Sequence, residues 1–226
     1  MKVNDRYCSF YYAPDPIDDT LHFDANRTAL LLIDLQNYFV DPPKDLNEPD
    51  MERWRPFYDE VHNIVVPNNK KLLDKCREKG ITIVHITIVS QFEDGRERSI
   101  SHRRAEFNNI IIRKNTPEAA IIDELAPQTN EIIVEKTTHS GLTGTNLRLI
   151  LNNLGITDCI ATGLVTDQCV SCTVRSLSDE NYRVWVVEDA TMAGSHELRD
   201  HALVIMNNTY CNVVNTQEVL DYLDTL

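Results

Sequence analysis

Three side chains of complementary chemistry close, or directly follow, short apolar runs in this sequence. Asp34 ends TALLLID, Lys136 ends EIIVEK, and Cys169 comes after DCIATGL and the turn from Leu164 through Gln168. An acid, a cation and a thiol brought to one place make a working nucleophile: the carboxylate accepts the thiol proton and the ammonium favours the anion that remains. Val170, Val174 and Leu177 follow Cys169 at helical spacing, so the thiol opens a helix and meets the positive end of its dipole. Unpaired N–H groups of that turn and of the helix start can then receive the oxyanion formed when a carbonyl is attacked. Taken singly, each residue also has a plainer reading: a turn or cap for the Asp, a solvated Lys, a small core Cys.

For the three to meet, the runs that carry them must share a sheet edge. Six such runs recur: TALLLID, ITIVHITIV from Ile81, EIIVEK, DCIATGL from Asp158, RVWVVED from Arg183 and YCNVVN from Tyr210. Their apolar character is nearly continuous, as in parallel strands covered on both faces. Amphipathic segments alternate with them, at about Asp59 to Lys79, Thr143 to Asn153, Gln168 to Glu180, His196 to Asn208 and Gln217 to Leu223. This rhythm predicts a Rossmann-like α/β fold, a three-layer sandwich around a six-stranded parallel sheet whose ligand site lies at the carboxyl ends of the strands. Asp41 to Arg55, with three prolines, and the charge-rich Gln91 to Asn115 read as long loops of the kind that often form lids.

A chain of 226 residues with 42% hydrophobic and 25% charged residues is expected to form one domain over 1–226, with 1–27 an N-terminal extension. A formal charge of −13 disfavours nucleic acid or an anionic membrane surface as a partner. No run approaches the roughly 20 apolar residues of a membrane span, and the N-terminus lacks a signal-peptide core, so a cytoplasmic protein is expected. The six cysteines are then expected to be mostly reduced, with Cys159 and Cys211 packed in strands.

The blocks ALLLIDLQNYF, TPEAAIIDELAP and VEKTTHSGLTGTNLRLILNNLGITDCIATGLVTDQCVSCTVRSLSDENYRVWVVEDAT resemble, in order and spacing, those of the isochorismatase-like cysteine hydrolases. The similarity runs from about Thr28 to Asn215, and G-L-V-T-D-Q-C-V-S-C-T is its most specific part. The resemblance implies a six-stranded parallel sheet and a catalytic triad of Asp34, Lys136 and Cys169. It also implies a cis peptide at Leu164–Val165 and an oxyanion hole from the N–H groups of Val165 and Cys169. Substrate contacts are expected among Gln36, Phe39, His139, Leu142 and Thr166, with Tyr38 nearby and the enzyme a homo-dimer or tetramer. The nicotinamidase branch carries an Asp-x-His and further histidines for a metal near the second strand. This sequence reads HITIVSQFEDGRERSISHRR there, so neither metal nor cofactor is expected. KTTHSGLTGT is similar to the KxxYSAFxGT of the ureidoacrylate and N-carbamoyl hydrolase branch, but His139, Gly141 and Leu142 depart from it.

These features predict hydrolysis of a C–N bond in a small amide, ureido or N-carbamoyl compound through a thioester. Asp34 takes the thiol proton and returns it to the leaving amine; water activated by Asp34 then hydrolyses the thioester. Cys169 should be the thiol that alkylates fastest at neutral pH, and Cys172 a slower packing residue. Three other readings stay open: vinyl-ether hydrolysis of the isochorismatase type, a C-x-x-C redox protein using Cys169 and Cys172, and an inactive binding scaffold. His139 is a substrate contact, a second acid or a capped surface residue. Arg96, Arg98, Arg103 and Arg104 are loop cations able to meet a substrate carboxylate. Asp189 is expected to brace a turn.

Overall fold

Near-continuous apolar strands need cover on both faces, and the six runs find it by pairing into one sheet with helices above and below. The computed structural model describes residues 5–12, 23–43, 47–104 and 109–226. The strands are β1 Thr28–Ile33, β2 Thr82–Ile88, β3 Ile132–Lys136, β4 Asp158–Leu164, β5 Arg183–Met192 and β6 Asn212–Val214. Their order is β3-β2-β1-β4-β5-β6, with every neighbouring pair parallel. The helices are α1 Asn37–Val40, α2 Glu48–Glu60, α3 Val66–Glu78, α4 Leu147–Asn153, α5 Ser171–Asp179, α6 His196–Met206 and α7 Thr216–Asp224.

Strand pleating divides the core in two. Leu30 and Leu32 of β1 join α2, α3 and α7 through Phe57, Leu72 and Val219, while Ala29, Leu31 and Ile33 join α4, α5 and α6 through Leu147, Val174 and Leu203. This is the three-layer α/β arrangement expected from the sequence. The chain leaves β1 outward through β2 and β3, then returns to the other side of β1 for β4, β5 and β6. The reversal between β1 and β4 is a topological switch point, where a crevice opens at the carboxyl ends of the strands.

The stretch from Asp41 to Arg55 is not the long loop expected. Residues 44–46 lie outside the described residues, and from Glu48 onward the chain is helical. Pro49 falls in the first turn of α2, where its missing N–H forfeits no intrahelical bond, and Asn47 caps the helix by accepting the Asp50 N–H at 3.1 Å. The helix expected from Asp59 to Lys79 is therefore the continuation of a longer one, which passes through a π-helical turn, Val61–Val65, into α3. Pro67 follows that turn; in a regular helix its ring would clash with the carbonyl four residues back, and a widened turn relieves the conflict. The segment from Gln91 to Asn115 holds one short 3₁₀ turn, Ile100–Arg103, among its described residues, with 105–108 outside them.

Of the expected N-terminal extension, 1–4 and 13–22 lie outside the described residues. Arg6 pairs with Glu188 of β5, and the Tyr7 carbonyl accepts from Asn207 Nδ2 at 3.3 Å. Asp189 does brace a junction, its Oδ1 accepting both the N–H and the hydroxyl of Thr216 at 2.8 Å where α7 begins. Among the described residues no helix is long and apolar enough to cross a membrane.

Candidate active site

β1 ends one residue before Asp34, whose backbone turns into the left-handed region (φ 51°) while its N–H still donates to Ile86 O at 2.8 Å. Asp tolerates this conformation better than most residues, and the turn ends the strand at the switch point. Across from it, Gly163 of β4 has φ 107°, and a Cβ there would overlap the backbone of Ile33. Only glycine lets β1 and β4 approach so closely. The next peptide, Leu164–Val165, is cis.

Lys136, the last residue of β3, reaches across the end of β2 to this point. Its Nζ lies 2.8 Å from Asp34 Oδ2 and 3.3 Å from Cys169 Sγ, and all three side chains are buried. Burial alone would lower the Lys136 pKa, but Asp34 and Cys169 outweigh it, so the ammonium is held above its ordinary value. The second carboxylate oxygen, Asp34 Oδ1, is buried and has no hydrogen-bond partner among the described residues. Burial, followed by the Asp34 charge, pushes the Cys169 thiol well up, against the pull of Lys136. The ammonium lies closer to the carboxylate, at 2.8 Å, than to the sulfur, at 3.3 Å, which leaves less of its field for a thiolate.

Cys169 sits in a π-helical turn, Thr166–Val170, ahead of α5. The Val165 carbonyl, which in an α-helix would receive the Cys169 N–H, instead accepts those of Gln168 at 3.1 Å and Val170 at 3.3 Å. Thr173 then donates to Cys169 O at 2.7 Å and accepts the Gly141 N–H at 2.9 Å, while Ser140 Oγ donates to Ser176 Oγ at 2.9 Å. One face of α5 thus fixes the loop that follows Lys136 against the turn that carries Cys169.

That loop carries His139, with Nδ1 4.0 Å from Cys169 Sγ. His102 lies behind it, buried, with ring centroids 3.9 Å apart and Nδ1 3.2 Å from Ser99 Oγ. Both imidazoles are held neutral: burial leads for each, with His139 and Lys136 adding for His102, whose pKa falls to about 4, and Lys136 adding for His139. In the sequence, the only sign of this contact is that His102 shares a long charge-rich loop with Ser99.

The other expected contacts are placed differently. Gln36 is buried and its amide is taken up by backbone: Nε2 donates to Ile88 O at 3.1 Å and Ala119 O at 2.9 Å, and Oε1 accepts the Ile88 N–H at 2.8 Å. It braces the end of β2 rather than facing a ligand. Thr166 is buried with its hydroxyl 2.8 Å from that of Thr191, and Leu142 is buried in the core cluster that includes Cys169. Phe39 is half-buried and packs edge-on against Tyr38, centroids 5.1 Å apart. Arg98 is buried and secures its own loop, donating to Gly95 O and Asn109 Oδ1, each at 2.9 Å, and to Ile110 O. Arg96 lies over the Phe92 ring, and Arg103 and Arg104 are exposed. Cys172 is half-buried at the start of α5, and both it and Cys169 are free thiols. Among the described residues no group of three or more His, Cys, Asp or Glu side chains could hold a metal ion.

The isochorismatase domain matches residues 28–218. The chain is 27% identical over 206 residues to N-carbamoylsarcosine amidase of an Arthrobacter species, covering 89% of this chain and 73% of that protein. A cysteine hydrolase structure from Pseudomonas syringae superposes with a TM-score of 0.76 at 22% identity, over 90% of this chain and 95% of that one. N-carbamoylsarcosine amidase from Thermoplasma acidophilum gives 0.63 at 26% identity, over 84% and 96%. The matched segment takes in all six strands and the whole constellation from Asp34 to Cys169, and the chain belongs to the isochorismatase family.

Proposed function

We propose that this protein is a metal-independent cysteine hydrolase that cleaves a C–N bond of a small amide, ureido or N-carbamoyl compound through an S-acyl intermediate on Cys169. The observation that carries this reading is Lys136 Nζ, buried between Asp34 Oδ2 and Cys169 Sγ at the ends of strands on both sides of the switch point. Asp34 Oδ1, buried without a partner, takes the thiol proton as the sulfur attacks the carbonyl carbon. Lys136, held protonated, offsets the charge that this transfer creates. The N–H groups of Val165, at the cis peptide, and of Cys169, in the π-helical turn, receive the oxyanion. Collapse breaks the C–N bond, and the amine leaves with the proton from Asp34. The likeness to two N-carbamoylsarcosine amidases supports the amide and ureido substrate class.

The test is an ammonia-release screen over primary amides, ureides and N-carbamoyl amino acids, with nicotinamide included, run beside a pyruvate-release assay on isochorismate. Turnover of an amide or ureide that disappears in Cys169→Ser and persists in Cys172→Ala is expected. Turnover of isochorismate alone, or equal loss in both variants, would overturn the reading.

A further inference from the structure

Resting on the hydrolase reading above, we propose that His139 is the catalytic base of the second half-reaction, the hydrolysis of the S-acyl intermediate, and that His102 is its positioning residue. Two bases flank the sulfur, and they differ in what can reach them. Asp34 is fully buried behind Cys169, which is itself 6% exposed, so an acyl group on Sγ covers the remaining approach to the carboxylate. His139 is only half-buried and reaches the same sulfur from the loop after β3, its Nδ1 4.0 Å away. Water arriving from solvent meets the imidazole first.

The groups facing His139 are Lys136 of β3, Asp34 beyond β1, Cys169 of the π-helical turn and His102 of the 3₁₀ turn. Burial and Lys136 together keep its ring neutral, the form that accepts a proton. The ring and the loop that carries it are both held. His102 packs against it at a tilt of 45°, its own Nδ1 3.2 Å from Ser99 Oγ, and the Ser99 N–H donates to Thr137 O at 3.3 Å. Gly141 and Ser140, just beyond, are fixed to α5.

The step balances without a further reactant. Nδ1 takes a proton from water as the water oxygen bonds to the acyl carbon. The tetrahedral intermediate collapses, the C–S bond breaks with its electron pair on sulfur, and the imidazolium returns the proton to the thiolate beside it. The acid leaves, and the thiol and neutral imidazole are restored. Asp34 thus serves bond cleavage, and His139 serves release.

p-Nitrophenyl acetate separates the halves, because acylation liberates p-nitrophenolate and only deacylation regenerates the thiol. Cys169 should be acetylated, as mapped by mass spectrometry, at similar rates in the wild type, His139→Gln and His139→Phe. The acetyl-enzyme of both variants should then decay about 10²-fold more slowly or worse. His102→Ala should slow the decay, and His102→Phe, which keeps a ring against His139, should restore it. Decay at the wild-type rate in either His139 variant would overturn the proposal; in His139→Phe alone it would show that the ring only fills space. A fall in acetylation with decay unchanged would move His139 to the first half-reaction. Absence of acetylation at Cys169 in the wild type would instead remove the hydrolase reading itself.

Discussion

The Asp34–Lys136 pair is an ion pair with almost no solvent, and the two ends depend on each other for stability as well as chemistry. Removing one charge strands the other in the core, a loss of about 3–5 kcal/mol in comparable buried pairs. Lys136→Met should therefore lower the unfolding free energy on that order and cut turnover by roughly 10²-fold or more. Adding Asp34→Asn should recover much of the stability and none of the activity. If denaturant melts showed Lys136→Met as stable as the wild type, the pair would not carry the charge assigned to it. The raised Cys169 pKa gives a second expectation at this scale. Alkylation of Cys169 by iodoacetamide should keep accelerating from about pH 7 to about pH 9, since the anion is still forming over that range. A plateau already reached near neutrality would mean a preformed thiolate. Asp34, Lys136 and Cys169 were legible as candidates because each closes or follows an apolar run, and strand ends converge in a parallel sheet. The backbone bonds that take up the Gln36 amide and the contact of His102 with His139 were not, because they depend on which backbone or ring two distant loops bring together.

Elements position these residues through a few polar contacts that have no counterpart in a hydrophobic pattern. Thr173, on a buried face of α5, links the Cys169 carbonyl to the Gly141 N–H and so joins the nucleophile's turn to the loop that carries His139. Thr173→Val keeps shape and burial but leaves both backbone groups short of a partner, a loss of about 1–3 kcal/mol for a buried group. A lowered melting temperature together with reduced turnover is expected; unchanged turnover would show that the loop is held by other means. The strands could be read from sequence because a run apolar on both faces leaves little alternative to a central parallel strand. α2 could not, since Pro49 and Pro56 suggest irregular chain unless the first is known to sit in the opening turn. The π-helical turn at Thr166–Val170 was likewise hidden: the apolar spacing after Cys169 predicts a helix but not which N–H groups its first turn leaves out.

Across the whole molecule, the doubly wound topology gathers Asp34, Lys136 and Cys169 at one end of the sheet and leaves the opposite ends of the strands to stability. The reacting end offers no three-ligand cluster among the described residues, and the proposed chemistry is complete in Asp34, Lys136, Cys169 and His139. Prolonged chelation should leave turnover intact, whereas a loss restored by zinc, iron or manganese would overturn metal independence. Near the start of β3, Glu131 receives Arg77 Nε at 2.7 Å and the Gln128 N–H at 2.9 Å, and lies 3.1 Å from His85 Nε2, clamping α3 and β2 to the edge strand. Burial works against the Glu131 charge, but Arg77 and the other donors prevail and hold its pKa at about 2, below the usual 4.5. His85, His102 and His139 are all lowered from 6.5, burial being the leading cause for each. The signs agree. The unfolded chain binds protons on these histidines below about pH 6.5 and on Glu131 below about 4.5, before the folded chain does, so each group favours unfolding as pH falls. Stability should be flat just above pH 6.5 and then decline in two stages. The histidine stage runs down to about 4, where His102 titrates, and the Glu131 stage from about 4.5 to about 2. Urea melts at stepped pH should show both, and Glu131→Gln should flatten the second while deepening the first, because the Glu131 carboxylate supports the charge on His85. Stability that held unchanged from neutrality to pH 4 would mean that the buried imidazoles take up protons in the folded protein as readily as in water.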